Sequence, residues 1–221
     1  MVLIHSSQRN APEMRKTFAP FAKKHSYMIL SPLFPVETGD FQDTAGYKVL
    51  KSGEIRYDLV LLSMVEEVYM RYTELDVNRF LLFGFSGGGQ FVHRFAYLYT
   101  ERLKAVVCGA PGSKTFPDDT KPYPQGVKDL ERVFGLRMQW KQLCTAPTLF
   151  IVGDAHTSIL YTKARGKWIE VAEEGRYGGI VRLEAAWRTA GARCKLNVVP
   201  GVSHEMNRMM NYAEAFFEEH Q

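Results

Sequence analysis

The sequence predicts an α/β chain, a mostly parallel sheet of about six strands flanked by helices. Three observations predict it. Short apolar runs alternate with longer amphipathic stretches from one end of the 221 residues to the other. The runs are apolar on both faces and bounded by Gly or Pro, as suits strands buried inside a parallel sheet. Strand and helix then follow each other through short connections, the pattern of crossover helices covering such a sheet.

The elements read in order. The first run is Val2-Leu3-Ile4. A helix is expected over 12–24, opened by Pro12, where a first-turn proline costs no hydrogen bond, and kinked or shortened at Pro20. Tyr27-Met28-Ile29-Leu30 is the second run, stopped by Pro32. A helix over 57–72 places Leu61, Met64, Val65 and Val68 on one face. The run 80–83 leads into a helix over 90–100, with Phe91, Phe95 and Leu98 in helical register. Runs at 105–108, 148–152 and 196–199 complete the strands. Helices over 182–190 and 205–219 complete the other set, the last spacing Met206, Met209, Met210, Ala213 and Phe217 along one face. Two polar excursions interrupt this rhythm. The first, 33–56, carries Phe34, Phe41 and Tyr47. The second, 111–146, is rich in proline at its start and helical over 127–134. Residues 1–221 are expected to form one domain, with 33–56 as a candidate binding loop and 111–146 as a small lid.

Composition narrows the function. Hydrophobic residues make up 46% and charged ones 24%, ordinary globular values that rule out a disordered, collagenous or coiled-coil chain. The net charge of +4 is spread without a Lys/Arg run, so nothing supports a nucleic-acid partner. Cys108, Cys144 and Cys194 have no CxxC spacing, which suggests neither a zinc cage nor a disulfide framework. They read as free thiols of a reducing compartment. No apolar stretch approaches the ~20 residues needed to span a bilayer, and the N-terminus turns polar after Ile4, too early for a secretory signal. A cytoplasmic protein with no membrane partner is expected.

The chemistry concentrates at Gly84-Phe85-Ser86-Gly87-Gly88, where an apolar strand runs directly into an amphipathic helix. This is G-x-S-x-G in the strand–turn–helix setting that gives the motif its meaning. Bulky residues two positions either side of Ser86 would collide in so tight a turn. The helix start behind it offers N–H groups and a positive dipole end. Nucleotide readings fail, because a G-x-G-x-x-G fingerprint needs Gly at position 86 and the chain has no Gly-Lys-Ser/Thr.

A serine nucleophile needs a base and an orienting carboxylate at the same sheet edge, the carboxyl end of the strands. Asp154 follows the run 148–152, and His204 follows 196–199 after Pro200-Gly201-Val202-Ser203. The order Ser86, Asp154, His204 is that of hydrolases built on an open α/β sheet. His156 reads as a loop residue and His93 as a helix-interior one. His204-Glu205 begins like a zinc motif, but position 208 is Arg, so no metal site follows.

These motifs resemble the α/β-hydrolase-fold serine hydrolases, in particular the polyhydroxybutyrate-depolymerase and feruloyl-esterase-like branch. That branch ends its first recognisable core strand in His-Gly followed by small residues and often Arg-Asn. Here the text is His5-Ser6-Ser7-Gln8-Arg9-Asn10, with Ser6 in place of Gly. The resemblance implies an α/β-hydrolase fold and an oxyanion hole made by the amide of Gly87 and one from this turn, that of Ser7. The departure at Ser6 leaves open which amide of the turn serves. The branch carries a β-hairpin ahead of this strand, and its absence is expected here, leaving about six strands instead of eight.

The expectation is therefore a cofactor-free, metal-free serine hydrolase acting on a small-molecule ester or lactone, with Ser86, His204 and Asp154 as nucleophile, base and orienting acid. Phe34, Tyr47 and Phe116 are expected to wall the substrate pocket. The alternative keeps the fold and reuses the triad geometry in a ligand receptor or a non-hydrolytic catalyst, such as one of cyclisation.

Overall fold

The computed structural model describes residues 1–37, 45–136, 138, 143, 145–155, 160–164, 167–172 and 175–221. Strand β1 (Val2–Ile4) leads to α1 (Ala11–Lys24), then a short hairpin of β2 (Lys51–Ser52) and β3 (Ile55–Arg56). Next come α2 (Tyr57–Arg71), β4 (Phe80–Phe85), α3 (Gly87–Tyr99), β5 (Leu103–Gly109), α4 (Leu130–Phe134) and β6 (Thr148–Gly153). An antiparallel ribbon, β7 (Leu160–Ala164) with β8 (Lys167–Ala172), precedes α5 (Gly175–Thr189), β9 (Cys194–Val199) and α6 (Met210–Glu218). Strands β1, β4, β5, β6 and β9 form one parallel sheet in the order β1-β4-β5-β6-β9. Every residue of β4 and β6 is buried, as the two-faced apolar runs require.

The sheet has five strands, one fewer than the runs suggested. The segment around Leu30 makes a single parallel bridge to Val2 and goes no further. Leu30 donates its N–H to Met1 O (2.9 Å) and accepts one from Leu3 N (2.9 Å). The next ladder donor would be residue 32, a proline with no N–H. The Ser31 hydroxyl donates to Leu3 O instead, at 3.3 Å.

Helix boundaries shift for physical reasons too. Helix α1 runs on through Pro20 to Lys24, burying Met14, Phe18, Phe21 and Ala22 while Pro20 faces water. The carbonyl that Pro20 leaves without a donor is then on the hydrated side. Helix α3 starts at Gly87, three residues ahead of expectation, because consecutive glycines mask its beginning in the sequence. The expected helix over 205–219 is divided into a 3₁₀ turn, Met206–Met209, and α6. The β7–β8 ribbon had no counterpart in the sequence reading. Among the described residues no helix is long and apolar enough to cross a membrane.

Candidate active site

Ser86 sits between β4 and α3 with φ 57° and ψ −109°, a left-handed conformation that a side-chain-bearing residue adopts only when its surroundings enforce it. Its amide donates to Gly109 O of the neighbouring strand at 2.8 Å, and its carbonyl accepts from Gln90 N at 3.1 Å. The elbow is therefore pinned to the sheet on one side and to the helix on the other. Close backbone approach explains the flanking glycines. A Cβ on Gly84 would stand 2.3 Å from Gly88 O, and one on Gly88 would stand 2.0 Å from Ile4 O.

His204 reaches this elbow from the loop after β9. Its Nε2 lies 2.8 Å from Ser86 Oγ, and its ring packs 4.6 Å from that of Phe85. With Nε2 unprotonated, the serine hydroxyl donates to it. The loop beneath is held by the end of β6. Asp154 N donates to Val199 O (3.2 Å) and Ala155 N to Val202 O (3.1 Å). Asp154 Oδ1 accepts from Gly201 N at 2.7 Å, and Gly201 turns there with φ 63°. So Asp154 and His204 belong to the same pair of laced loops. Among the described contacts the Asp154 carboxylate is held by Gly201, and none joins it to the His204 ring.

The turn after β1 forms the opposite wall. Ser6 N donates to Asn10 Oδ1 (3.1 Å), and Gln8 N to Ser6 Oγ (3.2 Å), so both amides are engaged within the turn. Ser7 N instead lies against the first residue of α3. A Cβ on Gly87 would stand 2.9 Å from Ser7 N and 2.4 Å from the Tyr47 hydroxyl. The N–H of Gly87 belongs to a first helical turn, whose amides have no partner inside the helix.

A cleft of about 490 Å³ opens over Ser86, lined among others by Ser7, Gln8, Arg176, His204, Met206 and Arg208. The three aromatic residues expected to wall it are not among its lining residues. Phe34 and Tyr47 are only 2% and 1% exposed and belong to the core. Both are drawn in around His5: Phe34 N donates to His5 Nε2 at 3.0 Å, and the Tyr47 hydroxyl donates to His5 O at 3.3 Å. Phe116 packs half-buried under the Arg182 guanidinium, 5.2 Å from its ring. Each aromatic face found an apolar or cationic partner inside the fold, which a polar surrounding sequence does not reveal. Phe41, Trp140 and His156 lie outside the described residues.

Sequence reasoning missed two contributors. One is Tyr47 as a brace behind Ser7 and Gly87; burial pushes its hydroxyl pKa up, so it stays a neutral donor. The other is Arg176, at the start of α5, where no motif marks it.

No family model matches the chain, and no curated protein sequence matches it. Solved structures do. Poly(aspartic acid) hydrolase-1 of Sphingomonas sp. KT-1 is 25% identical and superposes with a TM-score of 0.76 over 97% of this chain and 85% of that one. The poly(3-hydroxybutyrate) depolymerase of Bordetella parapertussis is 23% identical, with a TM-score of 0.75 over 99% and 79%. An S-formylglutathione hydrolase of Agrobacterium tumefaciens is 14% identical, with a TM-score of 0.65 over 99% and 82%. The likeness extends over nearly all of this chain, and the chain is built on the α/β-hydrolase fold, with its parallel sheet flanked by helices.

Proposed function

We propose that this chain is a serine hydrolase that cleaves a small carboxylic ester or lactone through an acyl-enzyme on Ser86. One observation carries the reading: a strained elbow serine whose Oγ is 2.8 Å from His204 Nε2. Ser86 Oγ attacks the substrate carbonyl carbon while its proton passes to His204 Nε2. The tetrahedral oxyanion is held by the amides of Gly87 and Ser7, donors worth about 3 kcal/mol each in comparable sites. Collapse breaks the ester C–O bond, and the leaving alkoxide takes the proton from His204. Water then attacks the acyl carbon by the same route and restores Ser86. Asp154 steadies the histidine loop through Gly201. No cofactor enters this scheme. The similar structures, two hydrolases and a depolymerase, support a hydrolytic reading. The free thiols Cys108 and Cys194 support a reducing, cytoplasmic setting.

The test is Ser86→Ala assayed on a short p-nitrophenyl ester, beside fluorophosphonate labelling of the unaltered protein. Turnover is expected to fall by about 10⁴ or more, with the label on Ser86. Undiminished turnover in a folded Ser86→Ala protein would overturn the proposal. An unlabelled, folded parent protein would favour the receptor or non-hydrolytic alternative.

A further inference from the structure

Arg176 lies at the wall of the nucleophile's cleft, and among the described residues no carboxylate pairs with it. It is half-buried at the start of α5. Among the described residues its guanidinium makes one donated bond, from Nη1 to Ala110 O at 3.2 Å. Its Nε is closed to water and has no acceptor. Burial lowers its pKa, and no carboxylate of the described residues offsets that effect. An arginine presents five donors in a flat fork and stays charged, so this arrangement leaves both hydrogen bonds and charge unanswered.

Two other arginines drawn into the fold are treated differently. Arg56 grips Asp58 through Nε (2.8 Å) and Nη2 (2.6 Å). Arg94 donates to Thr115 Oγ1, Lys48 O, Gln90 O and Ser113 Oγ. The remaining charges of the cleft are also accounted for. Glu205 lies 3.9 Å from Arg208 and accepts from Ser203 N, while Glu13 is exposed on the rim, where water screens it. Among the described residues, the charge of the cleft left uncompensated is that of Arg176.

Its anchor ties it to the nucleophile. Ala110 directly follows Gly109, whose carbonyl holds the Ser86 amide at 2.8 Å. Ala110 itself is held at φ 38°, a strained setting for a residue with a side chain. The guanidinium is thus fixed one residue from the strand end that positions Ser86.

We propose that Arg176 binds a carboxylate carried by the substrate, so that the Ser86 cleft takes anionic half-esters in preference to neutral esters of the same length. A carboxylate supplies two acceptors matched to the guanidinium fork and the charge that no described side chain provides. This deepens the hydrolase reading and rests on it.

The experiment compares monomethyl adipate with methyl hexanoate, both six-carbon acyl chains, by titrating released acid. It uses the unaltered protein, Arg176→Gln and Arg176→Lys. The ratio of kcat/KM for the half-ester over the neutral ester is expected to be at least tenfold, to fall to about one in Arg176→Gln, and to be partly regained in Arg176→Lys. A ratio near one in the unaltered protein overturns the proposal, as does a ratio that Arg176→Gln leaves unchanged. Adipate binding to Ser86→Ala, followed by calorimetry, reads the same site without turnover. Binding that disappears when Arg176→Gln is added supports the proposal, and no binding to Ser86→Ala sinks it. If neither ester is hydrolysed and fluorophosphonate leaves Ser86 unlabelled, the hydrolase reading fails while the calorimetry still decides the carboxylate site.

Discussion

At the scale of single residues, Asp154 is where two roles of one carboxylate can be told apart. Its place after β6 suits the orienting acid of a triad, yet its Oδ1 is bonded to Gly201 N at 2.7 Å. An acid that orients the imidazole directly acts through its charge, and its amide analogue loses about 10⁴ in kcat. An acid that acts by bracing the loop acts through an oxygen acceptor, which Asn keeps. Asp154→Asn is therefore expected to retain kcat/KM within about tenfold, and Asp154→Ala to lose about 100-fold, because a 1 Å misplacement of the base costs about that much. Steady-state kinetics on one ester decides it. A loss near 10⁴ in Asp154→Asn, with the fold intact by circular dichroism, would assign it the direct role.

At the scale of elements, two buried histidines do the same job in two places. His5, after β1, pairs Nδ1 with Ser6 O (2.7 Å) and accepts Phe34 N on Nε2 (3.0 Å). His93, inside α3, pairs Nδ1 with Gly89 O (2.7 Å) and accepts Thr115 N on Nε2 (3.0 Å). Each neutral ring thus fastens the start of one excursion to the sheet. A second proton would point at an amide N–H and break that bond. Burial lowers the pKa of both, that of His93 well below the usual imidazole value. Unfolded, each titrates near 6.5. Below that pH the unfolded chain binds protons that the folded chain refuses, so stability present at pH 7.5 is lost on acidification. Urea midpoints at pH 7.5 and pH 5 are expected to show a steeper decline for the unaltered protein than for His93→Gln. Equal declines would show that His93 does not govern the acid limb.

At the scale of the whole molecule, one arginine ties both excursions to α3. Arg94, 1% exposed on α3, donates from Nη1 to Lys48 O (2.7 Å) in the first excursion. It donates from Nε to Thr115 Oγ1 (2.8 Å) and from Nη2 to Ser113 Oγ (3.0 Å) in the second. Arg56 adds a second tie, gripping Asp58 while Nη1 donates to Phe134 O (2.8 Å). Removing Arg94 leaves several buried acceptors without donors, at about 1–3 kcal/mol for each one orphaned. Arg94→Met is expected to destabilise the protein by at least about 3 kcal/mol in urea unfolding. A change below about 1 kcal/mol would mean that the excursions hold without this clamp.

The strand order of chemistry along the chain, the elbow at Ser86 and its pairing with His204 could all be read from local text. They depend on neighbours in sequence: an apolar run, small residues at a tight turn, a histidine just past a strand. Only the tertiary structure decided what long-range contacts decide. Pro32 ended a strand because its missing N–H fell opposite Leu3. Phe34 and Tyr47 left the pocket because His5 drew them into the core. Arg176 entered the cleft because Ala110, 66 positions earlier, offered it a carbonyl. Periodicity reports which face of an element is apolar, whereas the partner that meets a polar group across the fold is set by packing, to which local pattern is blind.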